Sequence, residues 1–323
     1  MDVRDGRDPA AVQQAAAHLR AGRLVVFPTE TVYGLGADAA DDDAVRSIFA
    51  AKGRPADNPV IVHCRDIAHA QAVSGPWPKG ALELAKRFWP GPLTLVVPRS
   101  RATAPTCSAG LDTVALRVPA HPVAQALLHA SGLAIAAPSA NRSGLPSPTR
   151  VADAVADLGE RAALYLDGGP CDVGLESTVV GWPGGKLTLL RQGGVPAEQI
   201  AAVAGPLANA APGAAPLAPG MKYRHYAPET PLRLVASGAL RALWDQERRR
   251  ATRTAWLVST ESGLRGDGVT VVASRHDPKA WAHRLFAALR DADVGYDAIV
   301  VEAIPEDGLG AAVMERLRKA ATR

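Results

Sequence analysis

The chain has 323 residues, 47% of them hydrophobic and 21% charged, which is an ordinary globular composition with room for two domains of ~100–200 residues. Its net charge of +4 permits an anionic substrate but is weaker than a nucleic-acid-binding signature. Three widely spaced cysteines argue against a disulfide framework and a Cys-based zinc site. We see no signal peptide and no run of ~18 apolar residues, so we expect a cytoplasmic protein without membrane contact.

Helical and strand patterns alternate through the first two thirds of the chain. We predict helices over residues 9–19, 41–51, 79–89, 121–131, 150–158 and 196–204, with Thr149 as the N-cap of the fifth. Predicted strands cover 23–28, 59–64, 93–97, 113–119, 133–138, 163–166, 179–182 and 187–190. Together they indicate an α/β domain.

Two segments rich in hydroxyl and amide side chains directly follow predicted strands. They cover residues 29–36 and 139–149, and open α/β sheets place ligand loops at such strand ends. The chain has neither a dinucleotide fingerprint nor a phosphate-binding loop ending in Lys-Ser or Lys-Thr. The nearest approach, residues 184–188, is interpreted as a hairpin turn. The second loop is equally compatible with a plain helix-capping turn.

Residues 52–63 combine cationic, amide and imidazole side chains around a helix end, a turn and a strand. Lys52 and Arg54 are two residues apart and can converge on one polyphosphate. They are equally compatible with a solvated helix end, whose dipole favours basic residues. His63 at a strand end is more often a structural residue than a ligand contact.

Two further arginines lie on predicted strands. Arg117 stands among apolar neighbours and needs an anionic partner, because an unpaired buried charge is costly. That partner is either an internal carboxylate or a bound ligand. Arg191 ends a strand beside two glycines and is a further candidate phosphate contact.

Composition suggests a division into a first domain (1–204), a linker (205–228) and a smaller C-terminal domain (229–323). Residues 205–220 are rich in Ala, Pro and Gly and carry no charge, whereas residues 222–226 read Lys-Tyr-Arg-His-Tyr. We expect this segment to fold back onto a site. Strands over 231–236, 255–259, 269–273 and 298–303, with helices near 240–250, 278–292 and 309–320, predict a doubly wound domain whose role the sequence does not indicate.

Several motifs occur together, in order, between residues 23 and 228. They are Pro-Thr-Glu-Thr-Val-Tyr-Gly-Leu-Gly (28–36), Lys-x-Arg-Pro-x-x-Asn-Pro (52–59), Ala-Leu-Arg-Val-Pro (115–119), Ser-Ala-Asn-x-Ser-Gly (139–144), Glu-Ser-Thr-Val-Val (176–180) and Lys-Tyr-Arg-His-Tyr-Ala-Pro (222–228). In this the chain resembles the long form of the threonylcarbamoyl-AMP synthase family. Gly181 and Gln192 depart from that pattern.

The resemblance implies a YrdC-like twisted mixed-sheet domain followed by a smaller Rossmann-like domain. It also implies a nucleotidyltransferase that converts L-threonine, bicarbonate and ATP into L-threonylcarbamoyl-AMP, pyrophosphate and water. Mg²⁺ would be bound through ATP phosphates and not directly by protein groups. The product would pass to the tRNA threonylcarbamoyl transferase machinery, which modifies the adenosine next to the anticodon, without stable nucleic-acid binding by this chain.

The same resemblance implies roles for individual residues. Those expected to bind L-threonine are Thr31, His63, Arg117 and Ser177, with Arg117 on the carboxylate. Those expected around ATP are Lys52, Arg54, Asn58, Thr113, Ser139, Asn141, Ser147, Arg191, His225 and Tyr226. Those expected to be catalytic are Lys52, Arg54, Ser139 and Asn141.

Two other functions are compatible with a YrdC-like domain. An RNA-binding module would use a basic concave surface, but the sequence has no basic stripe with interleaved aromatic residues. A carbamoyl-handling domain of a maturation protein would carry acylphosphatase-like and zinc-finger segments, which we do not find in this sequence.

Overall fold

The computed structural model describes residues 1–210, 226–249 and 252–321. These residues form an eleven-stranded mixed sheet and a four-stranded parallel sheet, both flanked by helices. The predicted fold class, a mixed-sheet α/β domain followed by a smaller α/β domain, is confirmed. Among these residues, no helix combines the length and apolar character needed to cross a lipid bilayer.

The first sheet alternates with seven helices. Its strands, in sheet order, are β1 (Val3–Asp5), β8 (Leu164–Asp167), β2 (Val25–Phe27), β3 (Gly34–Asp38), β7 (Ile135–Ala136), β4 (Ile61–His63), β6 (Thr113–Arg117), β5 (Leu93–Pro98), β9 (Thr178–Gly181), β10 (Thr188–Arg191) and β11 (Ala208–Asn209). Its helices are α1 (Pro9–Arg20), α2 (Asp42–Lys52), α3 (Ile67–Ala72), α4 (Ala81–Phe88), α5 (Pro122–Ser131), α6 (Val151–Leu158) and α7 (Ala197–Ala204).

Helix α2 shows how local sequence delivers site residues. The Asp41 carboxylate caps its first turn by accepting from the backbone N–H groups of Asp43 and Ala44 at 3.0 and 3.1 Å. The helix ends at Gly53, whose φ of 60° lies in the left-handed region that glycine adopts without strain. Lys52 therefore stays on the helix and Arg54 leaves it in a new direction.

Some sequence predictions were wrong in detail. Thr149 is not the N-cap of α6: Arg150 holds that position, and its side chain pairs with Asp153 at 3.0 Å. The loop predicted over 29–36 ends earlier, because β3 begins at Gly34 and forms an antiparallel hairpin with β2. The predicted strand over 133–138 shortens to two residues in β7. Helix α3 and strands β1 and β11 were missed.

Other predictions were confirmed. The turn at residues 184–188 joins the antiparallel strands β9 and β10. All three cysteines are buried and free. The division of the chain at residue 204 stays a prediction, and β11, which lies beyond it, pairs with β10 in the first sheet.

The C-terminal region is a doubly wound parallel sheet. Its elements are β12 (Leu232–Val235), α8 (Ser237–Glu247), β13 (Thr254–Ser259), β14 (Val269–Ala273), α9 (Pro278–Ala292), β15 (Ala298–Glu302) and α10 (Leu309–Ala321), with strand order β12-β15-β13-β14. Helix α8 packs through Trp244 against one cluster, and α9 and α10 pack together in another. Trp281, Leu285 and Leu289 of α9 are buried, as their helical spacing predicts.

The two sheets belong to regions that share an interface. Val32 and Leu175 of the first region lie in the same buried apolar cluster as the α9 and α10 side chains. Asp157 on α6 and Arg290 on α9 form a buried ion pair across this interface, with 2.7 Å between oxygen and nitrogen. The C-terminal region therefore packs directly behind the loops that follow the first sheet's strands.

Candidate functional site

The floor of the candidate site is one face of the first sheet. Strands β4 and β6 are parallel, with Ile61 paired to Ala115 and His63 paired to Arg117. Directly paired residues present their side chains on the same face. Ile61 and Ala115 form a small apolar cluster there with Val96, so the face has an apolar centre and a polar end at His63 and Arg117.

A cleft opens on this face and gathers most of the predicted site residues. It is lined by Thr29, Thr31, Val32, Gly34, Arg54, Ile61, His63, Arg117, Ala137, Pro138, Ser139, Asn141, Leu145, Ser147, Glu176, Ser177, Arg191 and Tyr226. Lys52, Asn58 and Thr113 are not among the lining residues. His225 lies outside the described residues. The cleft therefore unites ten of the predicted site residues from seven separate stretches of the chain.

The anionic partner of Arg117 is an internal carboxylate. Arg117 forms an ion pair with Glu30 at 2.7 Å between Nη2 and Oε1, and both side chains are buried. Its Nη1 donates to the Thr31 hydroxyl at 2.8 Å and its Nε donates to the Gly91 carbonyl at 3.1 Å. These contacts fix the plane of the guanidinium at the cleft wall. Sequence reasoning missed Glu30, although it lies between the two threonines of the predicted loop.

His63 is a neutral imidazole at the cleft. Burial and the neighbouring Arg117 charge lower its pKa to about 3. The ring packs edge-on against Phe27 at 6.0 Å between centroids. Its Nδ1 is buried without a hydrogen-bond partner among the described residues. Because buried polar atoms normally have partners, this nitrogen is a candidate ligand contact.

Ser177 and Arg191 form a second polar cluster at the cleft. The Ser177 and Thr94 hydroxyls are 2.7 Å apart and hydrogen-bonded. Arg191 donates to the Ser177 carbonyl from Nη2 at 2.8 Å and from Nε at 3.1 Å. A close backbone approach at Gly193 allows this arrangement, because a Cβ there would meet the Ser177–Thr178 peptide at 2.3 Å.

Lys52 holds the loop at Ser139 and Asn141 in place through hydrogen bonds to its backbone. Its ammonium donates to the backbone carbonyls of both residues. Burial and the nearby Arg54 charge lower its pKa well below the ordinary value. Side-chain hydrogen bonds add to the loop: the Ser139 hydroxyl donates to the Asn141 amide oxygen, and the Asn141 amide nitrogen donates to the Leu145 carbonyl at 2.9 Å. Lys52 thus shapes the cleft without lining it.

Arg54, Asn58 and Thr113 lie at the opposite end of β4 and β6 from His63. Arg54 donates through Nη2 to the Asn58 and Pro59 carbonyls at 3.2 and 3.0 Å. The Asn58 side chain is 1% exposed, and neither amide atom has a hydrogen-bond partner among the described residues. The Thr113 hydroxyl is likewise unpartnered there. Because buried polar atoms normally have partners, the Asn58 amide and the Thr113 hydroxyl are candidate ligand contacts at this end of β4 and β6.

Glu176 lines the cleft and, like Glu30, was missed by sequence reasoning. Its Oε1 accepts from the Ser147 hydroxyl at 2.5 Å, and both side chains are buried. The signal was present in the Glu-Ser-Thr motif, of which only Ser177 was selected. Tyr226 lies at the same side of the cleft, with a φ of 67° and its ring stacked on Phe286 at 5.5 Å.

Acidic, His and Cys side chains are the groups that could bind a metal ion directly. Within residues 1–210, 226–249 and 252–321, no three or more of these groups come together in a way that could hold a metal ion. Glu176, which lines the cleft, and Glu30, which contacts the lining residue Arg117, are both paired with arginines. The remaining oxygens are hydroxyl and amide oxygens, which suit Mg²⁺ through its water shell.

The fold and the cleft define a two-domain α/β protein with a polar cleft lined by Arg54, Arg117 and Arg191. A family model described as "Telomere recombination" matches residues 17–193, and one described as "Threonylcarbamoyl-AMP synthase, C-terminal domain" matches residues 195–322. The chain belongs to the threonylcarbamoyl-AMP synthase family, in its two-domain form.

Individual relatives agree along nearly the whole chain. Threonylcarbamoyl-AMP synthase of Bacillus subtilis is 46% identical, with 96% of this chain and 92% of the relative covered. The Pyrococcus abyssi enzyme of the same name is 43% identical, with 99% and 96% covered. A crystal structure of P. abyssi Sua5 complexed with L-threonine matches with a TM-score of 0.92 and 41% identity, covering 99% of this chain and 97% of that one.

Proposed function

We propose that this protein is an L-threonylcarbamoyladenylate synthase, a nucleotidyltransferase that makes L-threonylcarbamoyl-AMP and pyrophosphate from L-threonine, bicarbonate and ATP. The observation that carries the proposal is the close structural match to an L-threonine complex over 99% of the chain. In the cell, the product would supply the tRNA threonylcarbamoyl transferase machinery. We propose a cytoplasmic location for the same reason, since tRNA modification is the use of this product.

The amino-acid end of the cleft is assigned to Thr31, His63, Arg117 and Ser177. Arg117 is positioned to bind a carboxylate, because Glu30 and Thr31 hold its guanidinium plane in one orientation. His63, with a pKa of about 3, is a poor base at neutral pH. We therefore assign it to hydrogen bonding with the substrate, not to proton abstraction.

The nucleotide end is assigned to the remaining predicted residues. The cations that line the cleft there are Arg54 and Arg191, and the polar groups are Ser139, Asn141 and Ser147. Lys52 acts on this end by fixing the Ser139–Asn141 loop. The residues further assigned to ATP on family resemblance are Asn58, Thr113, His225 and Tyr226.

The chemistry asks for positioning and charge neutralisation. The threonine amine adds to the bicarbonate carbon and water leaves, which gives a carbamate. A carbamate oxygen then attacks the α-phosphorus of ATP, a P–O bond forms, and pyrophosphate departs with the electrons of the broken bond. Fixed cations and hydrogen-bond donors stabilise the charge that develops on the phosphoryl oxygens. Additional neutralisation of the phosphates would come from Mg²⁺ bound with ATP.

The test is an assay of the purified full-length chain with ATP, Mg²⁺ and bicarbonate, with and without L-threonine. We expect pyrophosphate release that depends on threonine, together with an adenylate of the expected mass. The variant Arg54→Ala should lose turnover while keeping its unfolding midpoint. Pyrophosphate release that ignores threonine, or none at all, would contradict the proposed function.

A further inference from the structure

A fully buried arginine of the C-terminal region reaches the wall of the cleft. Arg316 lies on α10 and is 0% exposed. Its Nε lies 3.0 Å from Glu176 Oε2, and its Nη2 donates to the Gln192 carbonyl at 2.8 Å. On its own helix it contacts Glu315 at 3.1 Å. Two of its three polar partners therefore belong to the first region of the chain.

The contacts of Arg316 continue into the cleft through Glu176. One Glu176 oxygen accepts a hydrogen bond from Arg316 Nε, and the other accepts from the Ser147 hydroxyl at 2.5 Å. Glu176 and Ser147 both line the cleft. A continuous path of charged and polar contacts thus runs from α10 to the surface that faces the ligand.

Arg316 also contacts Tyr226. The guanidinium carbon lies 5.2 Å from the centre of the Tyr226 ring, within cation–π range. The ring stacks on Phe286 of α9. Two helices of the C-terminal region therefore hold Tyr226, which lines the same side of the cleft as Glu176.

Stability alone is a weak reason for this arrangement. A buried ion pair gains little over apolar side chains of similar volume, because both charges lose their hydration. Apolar packing is available at this interface, where Val32 and Leu175 join the α9 and α10 cluster. The pairing of Arg316 with Glu176 is better explained by the orientation that Arg316 gives to the Glu176 carboxylate.

We propose that Arg316 is a positioning residue for the nucleotide end of the site, holding the Glu176 carboxylate and the Tyr226 ring in place from the C-terminal region. The inference rests on the proposed function. It gives the C-terminal region a role in the reaction: without α10, the carboxylate that accepts from Ser147 loses its Arg316 partner, and Tyr226 loses the Arg316 guanidinium.

The electrostatics of Glu176 support this role. Burial would raise its pKa, but the Arg316 and Arg191 charges lower it below the ordinary value. Burial raises the pKa of the neighbouring Tyr226 to about 12, so its phenol is neutral. The groups that influence this cluster are Arg316, Glu315 and Lys319 of α10, Arg191 of β10, Ser147 and Tyr226. Removing Arg316 removes a cation, and the pKa of Glu176 rises.

The experiment compares Arg316→Met, Arg316→Lys and Glu176→Gln with wild type in the full chain. We expect Arg316→Met to raise the KM for ATP at least about 10-fold at neutral pH, with partial recovery as the pH increases and Glu176 ionises. Arg316→Lys keeps the positive charge but lacks the planar guanidinium, so its KM for ATP should lie between those of the wild type and Arg316→Met. Glu176→Gln should raise the KM for ATP without pH recovery. The KM for L-threonine should change less in all three.

The matched control is Arg318→Met on the same helix, whose side chain pairs with Glu306 at the surface. It should behave as wild type. Pyrophosphate release by the wild type that does not depend on L-threonine would contradict the proposed function itself. An active wild type with an unchanged KM and pH profile in Arg316→Met would overturn this inference alone. Should Arg316→Met not fold, Arg316→Lys and Glu176→Gln decide: normal ATP kinetics in both would overturn it.

Discussion

Both ends of the cleft use a buried arginine–carboxylate pair, but the pairs differ in where their partners come from. Arg117 and Glu30 lie 87 positions apart within the first region, on a strand end and on the loop after β2. Arg316 and Glu176 come from different regions of the molecule. The proposed amino-acid end is therefore built from the first region alone, whereas the proposed nucleotide end also includes contacts from the C-terminal helices.

Because of this difference, we expect the two ends of the cleft to respond to different substitutions. At the amino-acid end, strand register places His63 beside Arg117, so the geometry is as rigid as the sheet. At the nucleotide end, Glu176 and Tyr226 depend on side-chain packing across an interface. Changes at the interface should therefore raise the KM for ATP, and changes to the paired residues His63 and Arg117 should raise the KM for L-threonine.

The largest effect is expected from Arg117→Met. It leaves Glu30 buried without its cation, which costs about 3–5 kcal/mol of unfolding free energy, and it removes the proposed carboxylate contact. We expect kcat/KM for L-threonine to fall by about 100-fold or more. Urea denaturation and steady-state kinetics measure the two effects separately.

A second substitution separates the structural role of Arg117 from its ligand role. Adding Glu30→Gln removes the unpaired charge and should restore most of the lost stability, while activity stays low. Full recovery of activity in the double variant would show that Arg117 serves only to neutralise Glu30.

A smaller effect is expected from Gly174→Ala, which perturbs the interface. Gly174 has a φ of 75°, and a Cβ there would lie 2.5 Å from the Ala282 carbonyl oxygen on α9. The clash adds about 1–3 kcal/mol to the strain of the left-handed backbone. We expect a raised KM for ATP and a lower unfolding midpoint.

Gly184→Ala is the control for backbone strain. Gly184 has a φ of 60° with open space around the added Cβ. Its cost in unfolding free energy should be limited to that strain, with ATP kinetics unchanged. Equal effects of the two variants would mean that the interface does not act on the nucleotide end.

The smallest effect is expected from the titration of His63. Its pKa falls from an ordinary 6.5 to about 3 on folding, so the unfolded chain binds more protons between these values. Unfolding free energy should therefore decrease as the pH drops below 6.5, by up to about 1.4 kcal/mol per unit from this group. His63→Gln should lose that component in urea denaturation at pH 5 and 7. Parallel pH dependence of the two proteins would contradict a buried neutral imidazole.

The sequence predicted much of the fold from local signals. Strand β14 and helix α9 begin and end at the predicted residues; the apolar spacing of α9 extends over its full 15 residues. Strand β7 was overestimated: outside Ile135–Ala136 the segment makes separate backbone hydrogen bonds to its neighbours, such as Ala137 N–H to the Ile61 carbonyl at 2.8 Å, but no continuous strand pairing. The glycines of β3 suggested a loop, yet β3 is a strand because Gly36 faces the Phe27 ring, where a Cβ would lie within 2.8 Å.

For the site, the sequence by itself determined which residue types were present and which loops carried them. The segments around Thr31 and Ser139 were marked as candidate ligand loops by their hydroxyl and amide side chains, whereas the individual roles of Thr31, Ser139 and Ser177 came from the family resemblance. The partners of the buried charges were decided by tertiary structure. Glu30 and Arg316 become site residues through contacts that span 87 and 140 positions of the chain, and no local pattern encodes which carboxylate will meet which arginine once both are removed from water.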